Sequence, residues 1–395
     1  MKPYPAYKDS GIEWVGKIPK EWKPGKVKHN VLIVEKTGLH AAEGKKEGLY
    51  PFFTSSQTQD KFINKAIIHD ECLILGNGGS ASIHYMNGKF SASNDCLVLK
   101  RQKNIIIKFL YYLLFSNIKV IDDLGFNGIG LRHLQRVFFD NMLIYFPPIQ
   151  EQLRIASYLD RKTAQIDELI SKKEKIIELL KEERVAIINE AVTKGLNPNA
   201  EMKDSGIEWL GKIPKHWEVE RLKSACTFAY GDSLSNEYRI EGNVPVYGSN
   251  GIVGCHNKAI TEKPCIIIGR KGSFGKINFS EAECFPIDTT YFIDSRFAKC
   301  DLKWLNYVLS LLELDMFSND TGVPGLNRDN AHNKKIPLPN INEQKIIADY
   351  LDRKTAEIDS QIENMTRAIG CLKEYRTALI SEVVTGKIDV RGYAV

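Results

Sequence analysis

Apolar residues recur at helical spacing in two long stretches of this chain. The first runs through Ile155, Leu159, Ile166, Leu169, Ile176, Leu180 and Ile187, with charged residues in the intervals and no glycine or proline between positions 151 and 194. The second repeats the phase with Ile347, Leu351, Ile358, Met365, Leu372 and Leu379. Spacings of three, four and seven predict one apolar stripe on each of two helices. Roughly 40 helical residues rising 1.5 Å each span about 60 Å, more than a small domain needs. Each stripe requires a partner, and the economical one is the other helix. An antiparallel pair is expected, with the globular parts of the chain at its opposite ends, about 60 Å or less apart.

Outside those stretches the pattern turns to β-structure. Ile67, Ile68, Cys72–Leu75, Leu97–Leu99, Cys265–Ile268 and Tyr291–Ile293 read as short strands. Glycine clusters at Gly76–Gly79 and Gly269–Gly272 mark turns between them. A helix is expected at Ile105–Phe115 and another at Leu302–Leu312, each followed by a Gly-x-x-Leu step (Gly128–Leu131, and Gly325-Leu326 at the corresponding place). An apolar strand then closes on proline, Leu143–Pro148 and Ile336–Pro339.

These parallels reflect an internal repeat. Lys8–Trp22, KDSGIEWVGKIPKEW, returns as Lys203–Trp217, KDSGIEWLGKIPKHW, and IQEQLRIASYLDRKTAQID from Ile149 returns as INEQKIIADYLDRKTAEID from Ile341. A period this long is a duplicated domain, beyond any solenoid repeat. The expected fold class is α+β: two pseudo-symmetric α/β domains separated by two long antiparallel coiled-coil helices. The expected divisions are 1–146, first globular domain; 147–199, first helix; 200–338, second globular domain; and 339–395, second helix. The central signature follows the first helix directly, while little follows the second. The N-terminal signature can supply the missing equivalent, so the two termini are expected to meet.

Charge adds one distinction. Residues 23–146 carry 16 Lys/Arg against 10 Asp/Glu, whereas residues 218–336 carry 14 against 15. If both globular parts bind nucleic acid, the first has the stronger general attraction, and the second must concentrate its positive charge locally. Eight cysteines are scattered without metal-ligand spacing, as suits reduced thiols in a cytoplasmic protein. No run is long and apolar enough for a membrane span, and no metal site is expected.

Catalytic motifs are near misses. GRKGSFGK at Gly269–Lys276 is one residue too long for a phosphate loop and lacks the terminal Ser or Thr. GFNGIG at Gly125–Gly130 departs from the dinucleotide fingerprint. Phe146-Pro147-Pro148-Ile149 lacks the leading amide and trailing aromatic that an amino-methyltransferase uses on a flipped base. No GxSxG elbow is present. Nucleic-acid contact is the better-supported chemistry. Short polar and basic side chains lie in or beside the glycine turns (Asn77, Ser80, Arg270, Lys271, Ser273, Lys276), in a further loop of each copy (Ser55, Ser56 and Gln57; Ser249 and Asn250) and in the Gly-x-x-Leu regions (Arg132 and His133; Asn327 and Arg328). Glycine lets the backbone approach a phosphate, and Arg, Asn, Gln and Ser can read base edges. Taken singly, each of these is also an ordinary turn residue.

KDSGIEWxGKIPxxW twice, Gly-x-x-Leu closing on proline twice, and EQxxIAxYLDRKTAxID twice together resemble the specificity subunit of Type I restriction–modification systems over the full length. The resemblance implies two target-recognition domains, each reading part of a bipartite site in double-stranded DNA, with the helices fixing the spacing. It implies partners as well: modification subunits, two of them expected, which carry S-adenosylmethionine and methylate adenine, and restriction subunits, which use ATP and Mg to translocate and cleave. No cofactor and no catalytic residue are then expected in this chain. A nuclease or methyltransferase with atypical motifs, and a coiled-coil adaptor that never reads DNA, are the alternatives.

Overall fold

The computed structural model describes residues 2–12, 15–102, 105–316 and 325–393. Glu13 and Trp14 of the first signature lie outside them. The chain divides into two compact units, Met1–Glu174 with Thr366–Val395, and Lys175–Met365. Each unit combines one globular head with one stretch of both long helices.

The helices run Ile149–Lys194 and Ile341–Val384. Within the first unit they are antiparallel. Arg154 and Tyr158 meet Arg391 and Tyr393 just beyond the end of the second helix, whereas Asp167, further along the first, faces Arg376 at 2.9 Å. The second unit has the same sense: Gly195, past the end of the first helix, abuts Trp217 and Glu343, while Arg184 lies 3.2 Å from Asp359. The buried stripe follows alternating spacings of four and three, which is coiled-coil geometry. Ile155, Leu159, Ile166 and Leu180 are buried, as are Ile347, Leu351, Ile358 and Leu379, while Ile187, Met365 and Leu372 are half-buried. Leu169 and Ile176, expected in the stripe, are instead exposed at 43% and 41%. Their neighbours Ile170 and Ile177 take the inward positions. Two adjacent apolar residues satisfy the periodicity equally, and only the partner's surface chooses between them.

Both signatures fold alike. Asp9 and Asp204 accept the backbone N–H groups of Gly11 and Gly206, at 2.8 and 2.9 Å, closing an Asx turn. The flanking residues form a short antiparallel ladder, Tyr7–Asp9 with Lys17–Pro19 and Met202–Asp204 with Lys212–Pro214. Trp217 packs on Gly195 at the end of the first long helix. Trp22 packs on Gly386 at the end of the second, where an added Cβ would lie 2.4 Å from Pro19. Lys2 pairs with Asp389, whose N–H donates to the Lys2 carbonyl at 2.9 Å. The N-terminal signature thus occupies, on the second helix, the place that the central signature occupies on the first, and the termini meet as expected.

The repeated helix motif ties each head to its helix. Gln152 donates to Pro147 O and accepts from Ile106 N, and Gln344 does the same with Pro339 O and Asp301 N. Asp160 and Thr163 hold the hydroxyl of Tyr112, on the helix Ile107–Ser116. Asp352 and Thr355 hold that of Tyr307, on the helix Leu302–Leu311. Lys108 and Lys303 add ion pairs to the same two aspartates at 2.8 and 2.7 Å. The YLDRKT sequence is therefore a docking device for the head, buried on one side and charged on the other.

The first head is a six-stranded sheet in the order Val31–Ile33, Cys96–Arg101, Ile68–Gly76, Ile83–Ala92, Tyr50–Phe53, Lys61–Ile63, antiparallel except where Tyr50–Phe53 runs parallel to Ile83–Ala92. The second head splits its strands. Ala229–Tyr230, Thr290–Ile293, Cys265–Gly269 and Ile277–Ser280 form one sheet, and Gly251–His256, Val244–Gly248 and Phe285–Pro286 another. In both heads the apolar strand before the long helix (Leu143–Phe146, Lys335–Leu338) pairs with the strand just after the signature. Among the described residues, no helix is long and apolar enough to cross a membrane, and no group of His, Cys, Asp and Glu is placed to hold a metal.

Candidate nucleic-acid interface

In each head the glycine turn lies beside a loop distant in sequence. The residues that correspond there are His133-Leu134 and Gly325-Leu326, so the match of Gly325-Leu326 to the Gly128–Leu131 step expected from sequence is displaced by three residues. In the first, Gly79 N–H donates to Arg132 O at 2.8 Å and Leu134 N–H to Asn77 O at 3.1 Å. In the second, Lys271 pairs with Gly325, and Leu326 N–H donates to Arg270 O at 2.9 Å. The glycines are required by close approach. An added Cβ at Gly76 would lie 2.4 Å from Ser82 Oγ, and one at Gly269 would lie 2.1 Å from Ser273 O.

All of the first head's candidates gather at this junction, but several are committed to building it. Ser55 Oγ donates to Asp95 O and accepts from Asn77 N. The Gln57 amide donates to Ala81 O at 2.9 Å, and Ser56 lies beside Thr58. Arg132 is paired with Asp122 at 3.0 Å and also donates to Phe126 O, so its guanidinium clamps the loop. His133 Nδ1 lies 3.2 Å from Asn77 O. Ser80 remains exposed on the turn. Beside it, the loop tip presents Ile129, fully exposed, between Gly128 and Gly130 at φ 149° and 85°. Sequence reasoning passed over Ile129 because a lone isoleucine carries no chemical signature.

The second head gathers its candidates in the same place and keeps more charge free. Lys276 donates to the carbonyl and side-chain oxygens of Asn250, and Ser249 lies under Gly272. Asn327 caps the short helix Arg328–His332, its side-chain oxygen accepting from Asp329 N and Asn330 N. Lys271 and Ser273 are exposed. Arg270 and Arg328 converge on Tyr230, with their guanidinium carbons 5.0 and 5.1 Å from its ring centroid. Arg270 also donates to Asp288 O at 3.1 Å. Behind them His332 accepts from Phe228 N–H at 3.1 Å, and burial together with the nearby Arg328 holds its pKa below the ordinary imidazole value. This head, with one more acidic than basic residue, therefore places Arg270, Lys271, Lys276 and Arg328 around one pair of loops. Tyr230 has no spacing signature; only the fold reveals it.

Such a surface can engage phosphates through backbone N–H groups and cations, and base edges through fixed polar side chains. The family model for the Type I restriction modification DNA specificity domain matches residues 19–179 and 214–366. The MjaVIII specificity subunit of Methanocaldococcus jannaschii is 26% identical, the match covering 95% of each chain. The EcoDI specificity subunit of Escherichia coli is 25% identical over 95% of this chain and 90% of its own. A solved structure described as the structural basis of complex assembly and conformational transition of the type I restriction–modification system superposes with a TM-score of 0.72 at 17% identity, covering 94% of this chain and 99% of that one. The HsdS subunit from Thermoanaerobacter tengcongensis superposes at 0.55 with 16% identity, covering 96% and 100%. With its duplicated recognition unit matched twice by one family model, this chain belongs to the Type I restriction–modification specificity subunits.

Proposed function

We propose that this chain reads a bipartite sequence in double-stranded DNA, each head recognising one half, and presents that DNA to partner subunits that modify or cut it. The observation that carries the reading is the shared junction with unshared side chains. Both heads join a glycine turn to a distant loop through a corresponding bond, Leu134 N–H to Asn77 O and Leu326 N–H to Arg270 O, and place different polar groups there. One scaffold with two chemistries suits an asymmetric target. The long helices act as a ruler between the half-sites and as the platform on which two modification subunits dock. S-adenosylmethionine, ATP and Mg act on the modification and restriction subunits, and this chain is non-catalytic and cytoplasmic.

Co-expression with the cognate modification subunit, followed by mapping of methylated adenines, tests the reading. A two-part motif with an unspecified spacer is expected. Exchanging residues 23–146 for another recognition domain should change one half alone. Inserting four residues, about one helical turn, into both long helices should lengthen the spacer and preserve both halves. Methylation or cleavage by the chain without partners, or no sequence preference with them, overturns the proposal.

A further inference from the structure

Resting on that DNA-reading role, we infer that Arg270 and Arg328, held against Tyr230, recognise guanine in the half-site of the second head. Tyr230 ends a strand of the four-stranded sheet and is half exposed. Its ring also meets Tyr291 at 5.1 Å, and Arg270 lies 5.9 Å from the Tyr291 ring, so the platform is anchored from behind. The backbone of Arg270 is fixed twice, its N–H donating to Thr289 O and its carbonyl accepting from Leu326. Arg328 opens a helix capped by Asn327. Both side chains leave rigid backbone and converge on one ring.

Two charges held within roughly 10 Å, about one Debye length at moderate salt, repel each other. The cost is offset when an acceptor-rich partner arrives. A guanidinium set against an aromatic ring has its plane restrained and keeps edge N–H donors available. Guanine offers two acceptors side by side in the major groove, O6 and N7. Adenine pairs an acceptor with a donor, cytosine offers a donor, and thymine an acceptor beside a methyl group. A phosphate needs charge without a fixed plane, and Lys271 and Lys276 already supply that. Holding the plane before binding also lowers the ordering cost of the contact. Tyr230 is the positioning residue, and the arginines make the contact.

The test uses the full chain in complex with its modification subunits, on duplexes carrying the mapped motif. The half-site unaltered by exchange of residues 23–146 belongs to the second head. Each guanine there is replaced singly by 7-deazaguanine, which removes the N7 acceptor. The wild-type complex should lose roughly tenfold or more in affinity at one or two positions, an arm that needs no variant to fold. Arg270→Ala and Arg328→Ala should each become insensitive to the replacement at their own position, relax base choice there, and still read the first half-site. Tyr230→Ala should weaken the same discrimination, and Tyr230→Phe should retain it. A second half-site without guanine overturns the inference and leaves the DNA-reading role standing. So does a uniform loss of affinity across sequences with a shallower salt dependence, the mark of a phosphate contact. Absence of sequence preference in both halves would instead sink the DNA-reading role and this inference with it.

Discussion

Trp22 donates its indole N–H to the Glu151 carboxylate at 3.0 Å, in a buried site where Tyr4 donates to the same oxygen at 2.7 Å. The repeat preserves both residue types as Trp217 and Glu343, yet the partnership is lost. Glu343 takes His216 and Asn340 instead, and the buried Trp217 Nε1 has no hydrogen-bond partner among the described residues. A hydrogen bond to a charged group contributes about 1.5–3 kcal/mol net, and an unpaired buried donor is a cost in itself. Trp22→Phe should therefore destabilise the protein by about 1.5–3 kcal/mol more than Trp217→Phe. Equilibrium urea unfolding of the two variants measures the difference, and equal losses would show that the first hydrogen bond contributes nothing.

The glycine turn of the second head leaves no room for a side chain. Gly269→Ala would drive a methyl group to 2.1 Å from Ser273 O and 3.0 Å from Ser249 O. The loop must shift, at a cost of about 1–3 kcal/mol. Methylation mapping of the variant complex should show the second half-site lost or relaxed and the first intact. Unaltered reading of both halves would separate this turn from recognition.

His332 supplies a pH dependence of defined sign. Its neutral ring accepts from Phe228 N–H, and its folded pKa lies below the ordinary value of 6.5 because of burial and the nearby Arg328. The unfolded chain therefore takes up a proton first as pH falls. Stability is full above about pH 6.5, declines as pH drops below it, and levels off beneath the folded pKa. Thermal unfolding between pH 7.5 and 5, a range spanning the ordinary imidazole value, should record that decline. His332→Gln, whose carbonyl can still accept from Phe228, should flatten it.

Cysteine reactivity should divide sharply. Cys255 and Cys371 are exposed, whereas Cys72, Cys96, Cys226, Cys265 and Cys284 are buried. Burial pushes Cys72 and the half-buried Cys300 up to about 12, and Cys96 to about 11. Since the thiolate is the nucleophile, iodoacetamide at neutral pH should add to two thiols rapidly in the native protein and to all eight after denaturation. Mass spectrometry counts the adducts, and rapid labelling of Cys265 or Cys284 would contradict the packing of the second head.

Much of the architecture was legible in the residues alone. The duplication, both long helices, the principal strands and the meeting of the termini follow from periodicity and repeated motifs, because backbone geometry ties a spacing of three and four to one helix face and a repeat to one fold. The polar candidates of each head, taken from separate loops of the sequence, lie together in the structure, since strand ends and turns congregate at the rim of a sheet.

Local pattern cannot decide which of two adjacent apolar residues faces a partner, and the helix pair chose Ile170 and Ile177 over Leu169 and Ile176. Nor can it decide which polar groups are already occupied. Ser55, Gln57, Arg132 and Asn327 looked as available as Arg328, but Ser55 and Gln57 bond backbone far along the chain, Arg132 is paired with Asp122 and the Phe126 carbonyl, and Asn327 caps its own helix. Tyr230 carried no signal at all until the sheet brought it under two arginines from separate loops. Sequence determined the repeated elements and their order, because those depend on residues near one another in the chain. The tertiary structure alone decided which side chains remain free to act, because that depends on partners the chain brings from far away.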